Sequence, residues 1–297
     1  MRFSAAEKKI LGDNSSGSSE ILNAVVDHII DRLQAQACRR AAVAQTVRFI
    51  DTLTDQYASM AIIACGGAQI KGILTDYLEA NLQPAQLLRA LQSFRFDLGQ
   101  MKERAVKNCR GLFRRKTTLA TYSNSSMVRK VVSHYRGKIR SVCLSESRPI
   151  CEGKLAADYF AGLGITVTYC VDMLLPTFFK EADYFLIGAD RVGHKYLTNK
   201  IGTAALLALA GQVGVKRVVL FESMKLMPGS GDLRDFPEHD RREVWKGKAG
   251  RNITVCNRYF EVIPVNLVDL FISDLGVDSY KSLRRRMRTG HRNDVRF

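Results

Sequence analysis

A carboxylate, an amide and an ammonium group lie close together in one stretch of the chain, at Asp190, Asn199 and Lys200. The apolar run before Asp190, residues 184–187, is typical of a buried strand. A polar loop is predicted over 191–199, and then an Ala- and Leu-rich helix. Ligands of open α/β sheets bind beyond the carboxyl ends of strands, and free amides at a helix start attract phosphate. The stretch therefore offers groups that suit a polyhydroxy phosphate ester.

A plainer interpretation of the same residues stays open. Asp190 caps a loop in that interpretation, and Lys200 is a solvated surface charge. In the first interpretation, the backbone donors at the helix start, around Gly202, bind the substrate.

Polar side chains also follow the other predicted strands of this half. They are Thr121, Ser123, Ser125 and Ser126 after the first strand, Glu146 and Arg148 after the second, and Asp172 after the third. Parallel strands bring their carboxyl ends to one edge of a sheet, so these groups are expected to meet in one cleft. Arg148 is the best bidentate phosphate partner among them, or alternatively a structural partner of Glu146 or Glu152.

The elements that position these groups divide into two predicted domains and a tail. Apolar spacing predicts a helical domain over residues 1–112, and strands that alternate with helices predict a Rossmann-like parallel-sheet domain over 113–279. A helix over 265–273 is expected to close that domain. The fold class is therefore α/β. Residues 280–297 form a basic tail, expected to be solvated and mobile or to grip phosphates.

Composition limits the kinds of partner. The 297 residues carry a formal net charge of +16, which favours phosphorylated small molecules, nucleic acid or an acidic protein, or is simply a basic surface. Seven cysteines without paired spacing indicate reduced thiols and a cytoplasmic protein. Neither a metal site nor another cofactor is expected, and no apolar run is long enough to span a membrane.

Four ordered motifs carry a resemblance to a known family. They are GADRV and NKIGT within 188–203, ESRPICEG at 146–153, ITVTYCVD at 165–172 and NRYFEVIP at 257–264. The chain resembles the alpha, beta and delta subunits of translation initiation factor 2B. That family also contains methylthioribose-1-phosphate isomerase and ribose-1,5-bisphosphate isomerase. The resemblance covers residues 105 to 276 and is only general over the helical domain.

The resemblance implies a helical domain on a Rossmann-like one, dimers or higher homo-oligomers, and a sugar-phosphate pocket between the domains. It makes Asp190 the acid–base carboxylate of an aldose–ketose isomerase, and it makes Asn199 and Lys200 substrate-binding residues. The chain departs from the isomerase pattern at Ser123, where those enzymes carry a cysteine. Cys65-Gly66-Gly67-Ala68 also lacks the arginine of their early phosphate loop.

These departures favour a regulatory, non-catalytic protein that binds a phosphorylated sugar or nucleotide. A serine hydroxyl is much less acidic than a thiol and needs an adjacent base, and the local sequence offers none. An active pentose-phosphate isomerase that uses Asp190 and Ser123 is the first alternative. A translation-factor-like scaffold that binds RNA or protein through its basic surface is the second.

Overall fold

The computed structural model describes residues 3–13, 16–80, 82–227 and 236–288. Its first part is helical, as the apolar spacing predicts. The helices of that part are α1 (Ala5–Leu11), α2 (Ser18–Ala35), α3 (Arg40–Gln56), α4 (Ala61–Glu79) and α5 (Pro84–Asn108). The buried face of α2 includes Ile21, Val25 and Ile29, which recur at the spacing of an amphipathic helix.

Strands and helices alternate in the second part. The helices are α6 (Ser126–His134), α7 (Gly153–Gly162), α8 (Thr203–Gln212) and α9 (Tyr280–Arg288). The strands are β1 (Thr117–Thr121), β2 (Ile139–Ser145), β3 (Thr166–Cys170), β4 (Tyr184–Gly188), β5 (Arg191–Val192), β6 (Tyr196–Lys200), β7 (Lys216–Leu220), β8 (Phe260–Pro264), β9 (Leu270–Ser273) and β10 (Gly276–Asp278).

Seven of these strands form one sheet in the order β10-β9-β7-β4-β1-β2-β3. Every neighbouring pair is parallel except β10 with β9. The central strands β4, β1 and β2 therefore end at one common edge, where the loops after them meet. The α/β fold with a helical first part and a mostly parallel sheet is confirmed.

Apolar side chains cover both faces of this sheet. Phe185 and Ile187 of β4 join a core with Leu207 of α8, whereas Leu186 points into a core with Val131 of α6. Successive strand residues face opposite sides, so a strand buried on both faces reads as a continuous apolar run. The short run after Asp183 is therefore a buried central strand.

The prediction of a polar loop over 191–199 is wrong. Residues Arg191–Val192 and Tyr196–Lys200 pair as an antiparallel hairpin, and β6 also pairs with β8 in a second sheet of order β5-β6-β8. Leu197, Asn199 and Ile263 are buried there. Asn199 and Lys200 are therefore strand residues and not part of a helix start.

Two further predictions near the end of the chain are wrong. The helix expected over 265–273 is a 3₁₀ turn followed by β9, which extends the large sheet beside β7. The first part of the expected mobile tail is α9, whose Leu283 and Met287 are buried in the core. The remainder of that tail, residues 289–297, lies outside the described residues.

Two compact units divide the chain, Met1–Glu103 and Arg104–Phe297. The predicted divisions at 112–113 and 279–280 stay predictions. In the described part of the chain, no helix is both long and apolar enough to cross a membrane.

Candidate functional site

The Ser123 hydroxyl has a carboxylate as its partner. Ser123 Oγ donates to Glu152 Oε1 over 2.9 Å, and the Ser123 amide donates to Ser147 Oγ over 2.9 Å. Ser123 follows β1, and Glu152 directly precedes α7 after β2, so neighbouring parallel strands bring the two loops together. The local sequence offers Ser123 no base, and the fold supplies one from 29 residues further along the chain.

Lys200 completes a buried charged pair with the same carboxylate. Its Nζ lies 2.9 Å from Glu152 Oε1 and 3.0 Å from Oε2. The side chains of Lys200 and Glu152 are only 4% and 7% exposed. Lys200 is thus not the solvated surface charge of the alternative interpretation. Its ammonium also lies 5.1 Å from the ring centroid of Tyr259, within reach of a cation–π contact.

Burial dominates the electrostatics of Glu152. Desolvation raises the pKa of its carboxyl, and the opposing effects of the Lys200 charge and of the Lys200 and Ser123 hydrogen bonds do not cancel it. A carboxyl with a raised pKa exchanges protons more readily near neutral pH than an ordinary glutamate does. The group behind Ser123 is therefore able to hold and release a proton.

Asp190 is attached to the strand that carries Lys200. It follows β4, its side chain is half-buried, and its amide donates to the Thr198 carbonyl over 2.9 Å. Thr198 and Lys200 are two residues apart in β6, so they share a face of that strand. The hairpin therefore ties the position of Asp190 to that of Lys200.

The start of α8 is already occupied. The Glu261 carboxylate accepts the Ala204 amide over 2.8 Å and also takes the amides of Gly202 and Thr203. The phosphate site predicted at this helix start is therefore filled by a side chain of the protein. Gly202 has φ of +94°, and a Cβ there would lie 3.0 Å from the Tyr122 hydroxyl, so this turn requires glycine.

Asn199 belongs to the α8 side and not to the Glu152 cluster. Its Nδ2 donates to Thr203 Oγ1 over 3.2 Å, and it pairs in register with Glu261. Because side chains alternate along β6, Asn199 and Lys200 point to opposite faces. The structure therefore separates two residues that the sequence places side by side.

Arg148 lies at the rim of an open cleft. Asp172 accepts the amides of Ser147 and Arg148 over 2.7 and 2.8 Å and so fixes the loop after β2. The exposed Arg148 side chain donates to the Glu243 carbonyl over 3.2 Å, rather than to Glu146 or Glu152. The cleft has a volume of about 360 Å³ and is lined by Arg148, Pro149, Ile201, Val244, Cys256, Asn257 and Arg258.

The other predicted binding residues have mixed positions. Ser125 caps α6 by accepting the Val128 amide, and Ser126 is the first residue of that helix and is buried. The Thr121 hydroxyl is buried and, within the described residues, has no hydrogen-bond partner. The Glu146 backbone anchors its loop to Cys170 over 2.9 Å, and its side chain is half-buried.

Close packing brings the β1 and β4 loops together. A Cβ added to Gly188 would lie 2.4 Å from Ser125 Oγ, so only glycine allows this approach. The loop after β1, which carries Ser123, and the one after β4, which carries Asp190, therefore meet at the same edge. That the strand-end groups meet in one cleft stays a prediction, since Arg148 is the predicted residue that lines the described cleft.

A polar cluster beside the cleft was not found by sequence reasoning. The Tyr259 hydroxyl donates to Glu243 over 2.6 Å, the Asn257 amide donates to Glu243 over 2.7 Å, and the His239 ring stacks on Tyr259 with centroids 3.5 Å apart. Burial lowers the pKa of His239, and the Lys200 charge lowers it further against the opposing effect of Glu243. Through this cluster, His239 and Glu243 hold the Tyr259 ring that lies beneath Lys200.

A family model decides which proteins this chain resembles. The model of the initiation factor 2 subunit family matches residues 22–279. The chain belongs to this family. The match begins within α2, so it extends well before the motifs recognised over residues 105–276.

Members of the family with curated activities include isomerases. The ribose 1,5-bisphosphate isomerase of Archaeoglobus fulgidus is 31% identical over 185 residues, which are 60% of this chain and 57% of that enzyme. The chain thus matches little more than half of the length of this relative.

Solved structures show the same fold. Translation initiation factor eIF-2B from Pyrococcus horikoshii superposes with a TM-score of 0.75 at 21% identity, over 92% of this chain and 94% of its own. The 5-methylthioribose 1-phosphate isomerase of the same organism gives 0.78 at 18% identity, over 96% of this chain and 86% of its own. Identities this low establish the architecture of this family member and not its activity.

Proposed function

We propose that this family member is an aldose–ketose isomerase that acts on a phosphorylated pentose. The observation that carries the proposal is the meeting of Lys200 and Ser123 on one buried carboxylate, Glu152, at the sheet edge that also carries Asp190. Isomerisation needs groups that move protons, held next to groups that hold an anionic sugar. Curated relatives named as isomerases support the same activity.

The roles follow from the chemistry of each group. Asp190 is half-buried at the end of β4 and acts as the general acid–base at carbon. Arg148 supplies a planar, permanently charged fork for a phosphate at the open cleft.

The serine at position 123 is the reason for a non-catalytic alternative. Sequence reasoning favours that alternative because a serine without a base cannot replace a cysteine. The 2.9 Å bond from Ser123 to Glu152 removes this objection and makes the isomerase the better-supported function. A regulatory protein would bind the same sugar phosphate without converting it.

A coupled assay on ribose 1,5-bisphosphate and methylthioribose 1-phosphate tests the proposal. We expect turnover of at least one of them, and Asp190→Asn is expected to lower kcat by about 100- to 10,000-fold. Calorimetric titration of both compounds runs in parallel. Binding without turnover would support the regulatory alternative, and neither binding nor turnover would contradict both functions.

The assembly and location of the protein stay predictions. We propose a homodimer or a larger homo-oligomer, measured by light scattering at several protein concentrations. The excess of positive charge favours an acidic protein or RNA as a further partner, and salt-sensitive RNA binding would support it. A cytoplasmic location is the expectation from the seven cysteines, none of which forms a disulfide in the described part of the chain.

A further inference from the structure

Accessibility divides the Ser123–Glu152–Lys200 cluster into one reachable member and two buried ones. Glu152 and Lys200 are 7% and 3% exposed, whereas Ser123 is half-buried. Of these three residues, Ser123 is the one whose surface is open enough for a ligand to touch. Any influence of Glu152 on a ligand therefore passes through the serine hydroxyl.

Hydrogen-bond directions define what that hydroxyl can do. The single proton on Ser123 Oγ is donated to Glu152, so the oxygen lone pairs remain available to accept another hydrogen bond. The Ser123 amide donates to Ser147 Oγ, which holds the backbone from which the side chain projects. A sugar hydroxyl that donates to Ser123 Oγ would extend the chain of hydrogen bonds to Glu152.

We propose that Ser123 and Glu152 form a proton relay that serves a sugar oxygen during isomerisation, with Ser123 as the group in contact with substrate and Glu152 as its positioning residue. The inference rests on the proposed function and adds a residue to it. It assigns the carbon-bound proton to Asp190 and the oxygen-bound proton to the relay.

The chemistry balances without any further reactant. The cycle begins with Glu152 protonated, and its proton passes through Ser123 to the ring oxygen as that oxygen leaves C1 with the electron pair of the C1–O bond. Asp190 takes the proton from C2, and the C2–H pair forms the C1–C2 double bond. The O2 hydroxyl proton then passes to Ser123 Oγ as the serine proton returns to Glu152, and the O–H pair becomes part of the new C2=O bond. The pair of the C1–C2 double bond binds the proton that Asp190 returns to C1, so both carboxyl groups end as they began.

The environment of Glu152 suits temporary storage of a proton. Burial raises its pKa, while the Lys200 ammonium, in contact with both carboxylate oxygens, keeps the ionised form accessible. A hydroxyl acts well between two oxygens but is a poor base toward carbon. Ser123 therefore handles only protons bound to oxygen, while Asp190 handles the proton bound to carbon. This explains how a serine can occupy the position at which the isomerases that the chain resembles carry a cysteine.

A comparison of Ser123→Ala with Ser123→Cys tests the relay in the full-length chain. Both variants keep the Glu152–Lys200 pair, so both are expected to fold, which thermal unfolding confirms. We expect Ser123→Ala to lower kcat by about 100-fold or more with KM within about 3-fold of the wild-type value. Ser123→Cys retains a transferable proton and should keep kcat within about 10-fold.

Two further measurements separate a relay from a structural bond. The limb of the kcat–pH profile that belongs to Glu152 should disappear in Ser123→Ala, because the carboxyl no longer exchanges protons with substrate. Ser141→Ala removes a hydroxyl near the amino end of β2, which bonds Thr118 over 3.4 Å, and serves as the matched control with unchanged kcat.

The possible failures are distinct. Wild-type protein that turns over neither pentose phosphate overturns the proposed function and the relay together. Turnover that survives Ser123→Ala within about 3-fold, while Asp190→Asn abolishes it, overturns the relay alone. A cysteine variant that is no more active than the alanine variant also overturns it.

Discussion

The Glu261 carboxylate accepts the Ala204 amide over 2.8 Å, and the protein thereby places its own anion at the start of α8. The pKa of Glu261 is raised by burial, and the amides of Ala204, Gly202 and Thr203 offset this only in part. A phosphate could reach these amides only by displacing a side chain held from β8. The recognition of phosphate is therefore expected at the cleft of Arg148 and not at the helix start.

Glu261→Gln should change how stability depends on pH. The raised pKa means that Glu261 contributes stability fully present below its unfolded pKa, near 4.5, and lost as pH rises through the higher folded value. Wild-type protein should therefore lose free energy of unfolding relative to Glu261→Gln as pH rises from about 4.5 through the raised folded pKa of Glu261. Urea unfolding across this range measures the difference, with the exposed Glu181→Gln as control. A difference that does not vary with pH would contradict the assignment.

Tyr259→Phe should destabilise the segment that borders the cleft. The variant removes the hydroxyl that donates to both Glu243 oxygens, over 2.6 and 2.7 Å, but keeps the ring beneath Lys200. A hydrogen bond to a charged group contributes about 1.5–3 kcal/mol, so a loss of that size is expected in urea unfolding. Tyr259→Leu, which also removes the ring, should cost more. Equal stabilities of the Phe and Leu variants would exclude a contribution from the ring contact.

Arg148→Lys should weaken phosphate binding while leaving the loop intact. Asp172 holds the Arg148 amide over 2.8 Å, so the backbone stays fixed when the side chain changes. Lysine keeps the charge but loses the two-pronged donor, and we expect about 10-fold weaker binding of ribose 1,5-bisphosphate by calorimetry, or about 1.4 kcal/mol. Arg136→Lys, an exposed arginine of the 3₁₀ turn before β2, is the matched control. Unchanged affinity in Arg148→Lys would place the phosphate elsewhere.

Leu283→Ala should destabilise the protein far more than Arg284→Ala. Leu283 is 2% exposed within a core, whereas its neighbour Arg284 is exposed. Removal of a buried leucine side chain costs about 2–5 kcal/mol, and a surface substitution about 0.5 kcal/mol or less, in urea unfolding. Similar losses in both variants would mean that α9 does not pack as a core helix.

Because α9 packs into the core, a test of RNA binding requires point substitutions and not a deletion of the basic tail. Deletion of residues 280–297 would remove Leu283 and Met287 from the core as well as the arginines, so a loss of binding would be uninterpretable. Arg284→Gln with Arg288→Gln removes charge from exposed positions only. A reduced salt dependence of RNA binding in this double variant would support a basic contact surface, and an unchanged one would contradict it.

Local patterns were sufficient for much of the fold. The apolar run of β4 and the apolar spacing of α2 are encoded within a few residues, and both are found where the sequence places them. Short apolar runs such as Leu270–Ser273 fit a helix end or a strand equally well, and pairing with β7 decides between them. In α9 the arginines obscured Leu283 and Met287, whose spacing of four residues is the signal of a buried helical face.

The site was less predictable because its contacts join distant parts of the chain. Ser123 and Glu152 are 29 residues apart, and Glu152 and Lys200 are 48 apart, so only the strand order brings them together. The ESRPICEG motif contains Glu152, but a motif does not state which neighbour its carboxylate meets. The occupied start of α8 likewise depends on a distant contact. Strand β8 brings Glu261 to the start of α8 at Thr203, which lies 58 residues earlier in the chain.

Three non-glycine residues with left-handed backbone surround Glu152 in the described part of the chain. They are Ser123, Ser147 and Cys151, with φ of +67°, +63° and +57°. Each left-handed residue other than glycine costs about 1–2 kcal/mol, and Cys151→Gly would relieve that cost without removing a hydrogen bond of Ser123, whereas Ser147→Gly would also remove the acceptor of the Ser123 amide. A search for thermostable descendants of this protein would therefore be drawn to the loops whose rigidity directs the serine hydroxyl. Selection for thermal stability and selection for catalytic turnover would therefore favour different residues at these positions.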